Sequence, residues 1–176
     1  EYWTFGAQVP DEDLAINFGA PGDRRGPGGK MWLDFPEAGS PSVKMDIKIE
    51  PRSVEVFRHH SSRIQSGELK WVGASGLKGV EQVAIKLKDN GLYRVHLHFM
   101  EPEHVGGGHR VFDVSLQGEQ VLHKLDIAQA TGGKHRVITR EFNVEIMDRT
   151  LKINLKAYNG AKPVLCGVQW VRGPRD

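Results

Sequence analysis

The residues best suited to chemistry in this sequence are polar and aromatic side chains outside its regular alternating segments. One group is Phe57-Arg-His-His-Ser-Ser-Arg63, in which a ring is followed by Arg58, His59, His60 and finally Arg63. Aromatic rings cover the apolar C–H face of a sugar, while arginine, histidine and carboxylate groups hydrogen-bond its hydroxyls. The segment therefore predicts part of a saccharide site, and the alternative interpretation is a polar, solvated strand end.

Two tryptophans raise the same question of stacking or packing. Trp32 follows the Gly- and Pro-rich stretch 20–30 and stands beside Asp34. It is predicted either as a platform for a sugar ring, with Asp34 at its side, or as a half-buried anchor of the loop. Trp71 lies in segment 69–72, which is predicted to be a strand, so core packing is favoured there.

A third group follows the alternating segment that ends at residue 99. Glu101, Glu103 and His104 could present carboxylates and an imidazole to sugar hydroxyls, although solvated loop charges are the plainer interpretation. Two carboxylates only two residues apart do not resemble a pair placed across a glycosidic bond. His60 and Ser61 are adjacent and cannot readily face each other as base and nucleophile. The sequence therefore predicts binding without catalysis.

Metal-ligating patterns are sparse. Asp23, Asp34 and Glu101 could contribute to a structural calcium site, but no dense cluster of Asp and Asn demands one, and no cofactor is predicted. His96 and His98 share one face of a strand without the spacing of a zinc site. An exposed sheet face is the favoured interpretation of these two histidines.

The elements that must position these groups are predicted by alternation with a period of two, which is typical of strands with one buried face. Alternating or apolar strand segments are 14–18, 43–50, 54–57, 69–72, 80–87, 93–99, 112–116, 119–125, 139–146, 151–157 and 164–171. Only 126–131 suggests a helical turn. Many short strands without long helices predict an all-β fold, an antiparallel β-sandwich of the jelly-roll type.

Length and charge narrow the class of protein. The chain has 176 residues, which suits one domain over 14–173 with an N-terminal extension over 1–13. Its 24 basic and 22 acidic residues give a net charge of +2, which offers no support for nucleic acid or a membrane as partner. The one cysteine, Cys166, lies in an apolar run and is expected in the core. Because the chain starts at Glu1, it is expected to be part of a longer protein.

A family resemblance rests on several motifs. Gly91-Leu-Tyr-Arg-Val-His-Leu-His-Phe-Met-Glu101 is followed by His109-Arg-Val-Phe-Asp-Val-Ser-Leu-Gln-Gly118 and then Val121-Leu-His-Lys-Leu-Asp-Ile127. With Ala15-Ile-Asn-Phe-Gly19 and Pro163-Val-Leu-Cys-Gly-Val-Gln-Trp170, this pattern resembles malectin-type domains. The resemblance is greatest to versions appended to large secreted bacterial proteins.

The resemblance implies a galactose-binding-like jelly roll, binding of a polysaccharide or oligosaccharide, and other domains of the parent chain as partners. An aromatic pair of the family falls at Glu103 and His104, and a late carboxylate falls near Asn159. Of two earlier loop tyrosines, one falls near Trp32, which keeps an aromatic ring, and the other near His60. The prediction is a non-catalytic, secreted or periplasmic carbohydrate-binding module, and the alternative is a protein-interaction module.

A particular sugar class is suggested by the basic residues of the first group. Arg58, His60 and Arg63 would suit an anionic or uronic polysaccharide.

Overall fold

The structure, a computed structural model, describes residues 14–35 and 46–173. The predicted extension over 1–13 and residues 43–45 of the predicted strand 43–50 lie outside the described residues. Within the described ranges the strands are β1 (Leu14–Phe18), β2 (Arg24–Arg25), β3 (Met31–Phe35), β4 (Ile47–Glu50), β5 (Glu55–Arg58), β6 (Ser75–Lys78), β7 (Gln82–Lys86), β8 (Gly91–Met100), β9 (Phe112–Leu116), β10 (Glu119–Leu125), β11 (Val137–Ile146), β12 (Thr150–Ala157), β13 (Val164–Leu165) and β14 (Gly167–Arg172).

Helical structure in the described ranges is short. Helix α2 (Ile127–Thr131) confirms the helical turn predicted over 126–131, and Asp126 caps it by accepting a hydrogen bond from the Gln129 backbone N–H at 3.1 Å. The strand predicted over 69–72 is wrong, because helix α1 occupies Lys70–Gly73. Leu69 adopts a left-handed conformation with φ of 49°, which turns the chain out of an extended path before α1.

The strands form three sheets, and the predicted all-β sandwich is confirmed. A six-stranded sheet has the order β11-β8-β14-β1-β3-β2, and a five-stranded sheet has the order β10-β9-β12-β7-β4. A small third sheet, β13-β6-β5, was not predicted. Nor was the parallel pairing of β1 with β3, which places residues 31–35 in a strand where a loop was expected.

The core lies between the two large sheets, where the alternation places it. Residues such as Val95 and Leu97 of β8 meet Val114 of β9 and Ile153 of β12, and all four are inaccessible to solvent. Trp170 and Cys166 are also fully buried, as expected. Burial of this apolar surface stabilises the fold by about 25 cal/mol per Å².

The outer face of the six-stranded sheet is covered by the segment 59–74 that runs from β5 to β6. Ile64 of this segment packs against Met100 and Cys166, and Val72 packs against Trp32. Backbone hydrogen bonds hold the segment in place, including one of 2.9 Å from the Val137 N–H to the Ser66 carbonyl. This cover creates a cleft where the segment meets the loop after β1.

The same cover explains why the expectation of an exposed His96–His98 face is wrong for one of the pair. His98 is 1% exposed, and its ring meets Trp32 edge-on with centroids 5.4 Å apart. Its Nδ1 lies 3.0 Å from the Thr139 hydroxyl, and burial lowers its pKa to about 4. His96, two residues before His98 in β8, is partly exposed, and its Nε2 lies 3.4 Å from a Glu141 carboxylate oxygen.

Candidate carbohydrate-binding cleft

An open cleft of about 480 Å³, here called the Trp71 cleft, lies where the loop after β1, the end of β5 and helix α1 meet. Its lining comprises Asn17, Ala20, Pro21, Gly22, Asp23, Arg24, Trp32, Arg58, His59, His60, Ser61, Trp71, Ala74 and Ser75. The volume is in the range of small-ligand sites, which are typically concave with a few polar groups.

Trp71 supplies the aromatic wall of the cleft. Helix α1 places it there, and its ring is partly exposed, which differs from the core packing favoured by the sequence. The guanidinium carbon of Arg24 lies 4.6 Å from the centroid of the Trp71 ring. A cation–π contact at an exposed site contributes roughly 0.5–1 kcal/mol, so Arg24 rests on the ring without being locked to it.

Trp32 forms the floor of the cleft. It is 1% exposed and meets Trp71 nearly perpendicularly, with centroids 5.4 Å apart. Gly26 lies directly against it, since a Cβ at that position would come within 2.7 Å of the Trp32 Nε1 atom. With its faces covered, Trp32 cannot act as the predicted sugar platform; it is the buried anchor that the sequence left as the alternative.

The residues from β5 onward line the opposite wall. Arg58 donates a hydrogen bond from Nε to the Gly19 carbonyl, and His60 accepts one at Nδ1 from the Ser62 N–H at 3.2 Å. His59 lies beside His135, with ring centroids 5.0 Å apart. Burial lowers the pKa of His59, and the positive charges of neighbouring side chains lower it further, so this imidazole favours its neutral form.

Polar groups complete the cleft near β1. The Asn17 side chain is 4% exposed and lies 3.2 Å from the Ser75 hydroxyl. Asp23 accepts a hydrogen bond from the Asp34 backbone N–H at 3.0 Å, which ties the loop to β3 and brings Asp34 next to the lining without making it part of it. These groups can donate and accept hydrogen bonds with hydroxyls.

Two predicted site residues flank the cleft. Phe57 is partly buried and packs against the apolar clusters beneath β5, so its ring contributes to the core. Arg63 ends the short 3₁₀ turn 61–63 and is exposed, outside the lining.

Glu101 was predicted as a sugar ligand, and the structure corrects this because its carboxylate is buried and bonded within the protein. Glu101 is 1% exposed, and its Oε2 accepts a hydrogen bond from Arg110 Nε at 2.8 Å. Its Oε1 accepts from the backbone N–H groups of Glu103 and His104 at 2.9 and 3.1 Å. A carboxylate engaged in this way holds the loop in shape and has no face open to a hydroxyl.

The remaining predicted residues belong to the same loop region, away from the lining of the Trp71 cleft. Glu103 pairs with Lys78 at 2.6 Å, and His104 stacks on His109 with centroids 4.8 Å apart. Asn159 donates to the Gly108 carbonyl at 2.9 Å and so clamps the glycine loop. Of the predicted residues, the structure therefore brings together Trp32, Arg58, His59 and His60.

Sequence reasoning weighed Trp71 but favoured the core for it, and it missed Arg24 as a cleft residue. The signal for Trp71 was available, because Gly67 and Gly73 flank a segment that does not alternate and is poorly suited to a strand. For Arg24 the signal was weaker: a basic pair, Arg24-Arg25, inside an otherwise Gly- and Pro-rich loop.

Within residues 14–35 and 46–173 no three His, Cys, Asp or Glu side chains, Asp23, Asp34 and Glu101 included, converge on one point. None of the helices in the same ranges has the length and apolar character needed to cross a membrane.

Structural comparison finds the same fold in larger proteins. The ANX2 ectodomain from Arabidopsis thaliana matches with a TM-score of 0.69 at 14% identity, over 93% of this chain and 52% of that one. A beta-glucuronidase from Bacteroides uniformis matches with a TM-score of 0.70 at 15% identity, over 92% of this chain and 18% of the enzyme. At these identities the likeness concerns the fold.

Sequence comparison supports the motifs. Receptor-like protein 4 from Arabidopsis thaliana is 27% identical over 88 residues, which are 49% of this chain and 14% of that protein. This chain thus corresponds to a small part of that relative. The family model described as the malectin domain matches residues 81–168, from the strand before β8 to the start of β14. These strands carry most of the motifs on which the resemblance rested, and the chain belongs to the malectin domain family.

Proposed function

We propose that this domain is a non-catalytic carbohydrate-binding module and that the sugar occupies the Trp71 cleft. The observation that carries the proposal is the partly exposed Trp71 ring in an open cleft with Asn17, Ser75, Arg58 and His60 around it. A sugar needs such a combination of an apolar surface for its ring and hydrogen-bonding groups for its hydroxyls. Membership of the malectin domain family supports saccharide binding as the function.

The loop region at Glu101–His104 and Asn159 is the less suitable site for a sugar in this chain. Its carboxylates and amide are already hydrogen-bonded to Arg110, to Lys78 and to the backbone. A sugar would have to displace these bonds, and the net gain of replacing one hydrogen bond by another is small.

We also place the module in a longer extracellular protein, where its partners are a polysaccharide or oligosaccharide and the other domains of that chain. The support is that its structural neighbours are parts of larger chains, among them an extracellular domain of ANXUR2 from Arabidopsis thaliana. The match to an enzyme from Bacteroides uniformis is compatible with a secreted bacterial parent.

The test is a binding screen against soluble neutral and acidic polysaccharides by affinity electrophoresis, followed by calorimetry on each hit. Trp71→Ala should weaken binding at least about tenfold, because stacking contributes roughly 1 kcal/mol beyond the apolar area that it buries. Tyr158→Ala is the matched control, since Tyr158 is 56% exposed and contacts Lys124 outside the cleft.

Because Trp71 packs on Trp32, the fold of Trp71→Ala is checked by thermal unfolding. A second measurement uses a Trp3→Phe background, because Trp3 lies outside the described residues: bound saccharide should protect tryptophan fluorescence from acrylamide, since Trp32 and Trp170 are already buried and Trp71 is partly exposed. Equal losses of affinity in Trp71→Ala and Tyr158→Ala would place the sugar elsewhere. A screen without any bound saccharide would favour a protein-docking module instead.

A further inference from the structure

The Trp71 cleft carries an excess of positive charge. Arg24 and Arg58 line it, and in the described ranges Asp23 is the one carboxylate of the lining. Asp23 accepts a hydrogen bond from the backbone N–H of Asp34. His60 adds an imidazole to the lining.

Arg24 occupies the surface that a sugar would use. Its guanidinium carbon lies 4.6 Å from the centroid of the Trp71 ring. Arg24 itself is exposed, on a strand of two residues, so its side chain has room to swing away. Any sugar ring that stacks on this face of Trp71 must first move the guanidinium aside and give up the cation–π contact.

The cost of this displacement depends on the charge of the sugar. A neutral sugar leaves the displaced guanidinium in solvent. A sugar with a carboxylate or sulfate group offers it a charge-assisted pair, for which the planar guanidinium is suited through two parallel N–H···O bonds. Arg58 provides a second cation on the opposite wall of the cleft.

We propose that the cleft selects an acidic sugar residue and that Arg24 is the residue that determines this selection. In the free protein Arg24 covers Trp71; in the complex it leaves the ring to the sugar and pairs with the acidic group. The inference rests on the proposed function, because it names the class of sugar for the same site.

The experiment compares probes that share a backbone but differ in charge. Oligoglucuronate is paired with cello-oligosaccharide, its carboxyl-reduced form, and oligogalacturonate is paired with its own carboxyl-reduced form. Sulfated cello-oligosaccharide separates sulfate from carboxylate recognition. Each probe is titrated calorimetrically into the wild type, Arg24→Ala, Arg24→Lys and the control Arg25→Ala. Arg25 adjoins Arg24 but bonds to the Gly29 carbonyl at 3.2 Å and lies outside the lining.

The wild type should bind at least one acidic probe about tenfold more tightly than its neutral partner, the effect expected of one charge-assisted hydrogen bond. Arg24→Ala should lose most of this ratio in two ways: the acidic probe binds more weakly, and the neutral probe binds as well as before or better, since Trp71 is uncovered. Arg24→Lys should keep part of the ratio, and Arg25→Ala should keep all of it.

The proposal is overturned if the wild type binds each neutral probe as tightly as its acidic partner, or if Arg24→Ala keeps the wild-type ratio. In either case binding that is still lost in Trp71→Ala would leave the proposed function standing. Absence of binding by every probe, in the wild type and in the broader screen, would overturn both.

Discussion

Two clefts of the same volume lie at opposite ends of the strand pair β5–β6 in the small sheet. They differ in the partners of their charged side chains and in whether an aromatic ring lines them. The second, here called the Glu55 cleft, has a volume of about 480 Å³, as the Trp71 cleft does, and is bordered by Glu55, Lys78 and Lys162. Glu55 starts β5 and Arg58 ends it, so one short strand contributes to both clefts.

In the Glu55 cleft the charges satisfy one another. Lys78 lies 3.3 Å from Glu55 and 2.6 Å from Glu103, and Lys162 also donates to Glu55. Hydrogen bonds from these lysines lower the pKa of Glu55, and the contact with Glu103 raises the pKa of Lys78. The cleft also lacks an aromatic side chain in its lining, which falls wholly within the described residues.

The Trp71 cleft differs in its aromatic wall and in the balance of its charges. Arg58 and His60 also hydrogen-bond within the protein, but the partly exposed Trp71 ring offers an apolar surface, and two arginines line the cleft with one carboxylate, Asp23. Two clefts of equal volume therefore differ in what they offer a sugar, because a sugar ring needs an apolar surface as well as hydrogen-bonding groups.

The largest expected effect concerns the charges that shape the loops beside the Glu55 cleft. Glu101→Gln removes the partner of Arg110, whose side chain is 4% exposed. The buried guanidinium would keep only the exposed Glu103, 3.5 Å from its Nη2, as a carboxylate partner, so the free energy of unfolding should fall by about 3–5 kcal/mol. Urea denaturation measures this.

The matched control for that variant is Glu103→Gln, since Glu103 is exposed and should lower stability by less than about 1 kcal/mol. If both variants are equally stable, Glu101 is not the structural residue that its burial indicates. Saccharide affinity at the Trp71 cleft should remain in any variant that stays folded.

The second expected effect is a dependence of stability on pH that originates beneath the Trp71 cleft. The pKa of His98 is lowered to about 4 by burial, against an ordinary value of 6.5. Between these values the unfolded chain takes up the proton more readily than the folded one, so stability is highest above pH 6.5 and falls as the pH drops toward 4. The loss from this group is on the order of 3 kcal/mol.

Urea denaturation of the wild type and of His98→Gln between pH 7 and pH 4 isolates this contribution. The slope over this range should be shallower in His98→Gln than in the wild type, because the variant lacks the buried imidazole whose pKa is lowered. A slope unchanged by His98→Gln would show that the imidazole is accessible to protons in the folded state.

The smallest expected effect tests the floor of the Trp71 cleft directly. In Gly26→Ala the new Cβ would come within 2.7 Å of Trp32 Nε1 and 3.4 Å of Trp71 Cζ2. The loop must shift, which should cost about 1–3 kcal/mol of stability and weaken saccharide binding severalfold. Thermal unfolding and calorimetry measure the two effects.

Gly22→Ala is the control for this variant, since nothing lies within 4 Å of a Cβ at that position. The counterpart in the other cleft is Glu55→Gln, which should leave saccharide affinity unchanged if the sugar occupies the Trp71 cleft as proposed. A larger loss of affinity in Glu55→Gln than in Gly26→Ala would reverse the assignment of the two clefts.

The lining of the candidate cleft was predicted from sequence in part, and particular residues show why. Arg58, His59 and His60 were identified because they follow a strand-like segment, and all three line the Trp71 cleft. Glu101 was predicted for the same chemical reason and is instead buried against Arg110. Residue type and spacing show that a carboxylate can bind a hydroxyl. They do not show whether a cation nine residues away in the sequence is already paired with it in the folded chain.

Trp32 and Trp71 exchange the places that the sequence suggested for them. Trp32 followed a flexible stretch and was considered for the surface, and Trp71 stood in a segment assigned to the core. Parallel pairing of β1 with β3 buries Trp32, and helix α1 turns Trp71 toward the cleft. Both outcomes depend on how the segment 59–74 packs over the six-stranded sheet.

The amino-acid order alone determined the class of fold, most strands of the two large sheets and the motifs of the family, because alternation with a period of two is a local property that each segment carries by itself. The tertiary structure decided which polar and aromatic groups are available to a ligand. Availability depends on contacts between residues far apart in the chain, such as Arg24 with Trp71, and no local pattern contains that information.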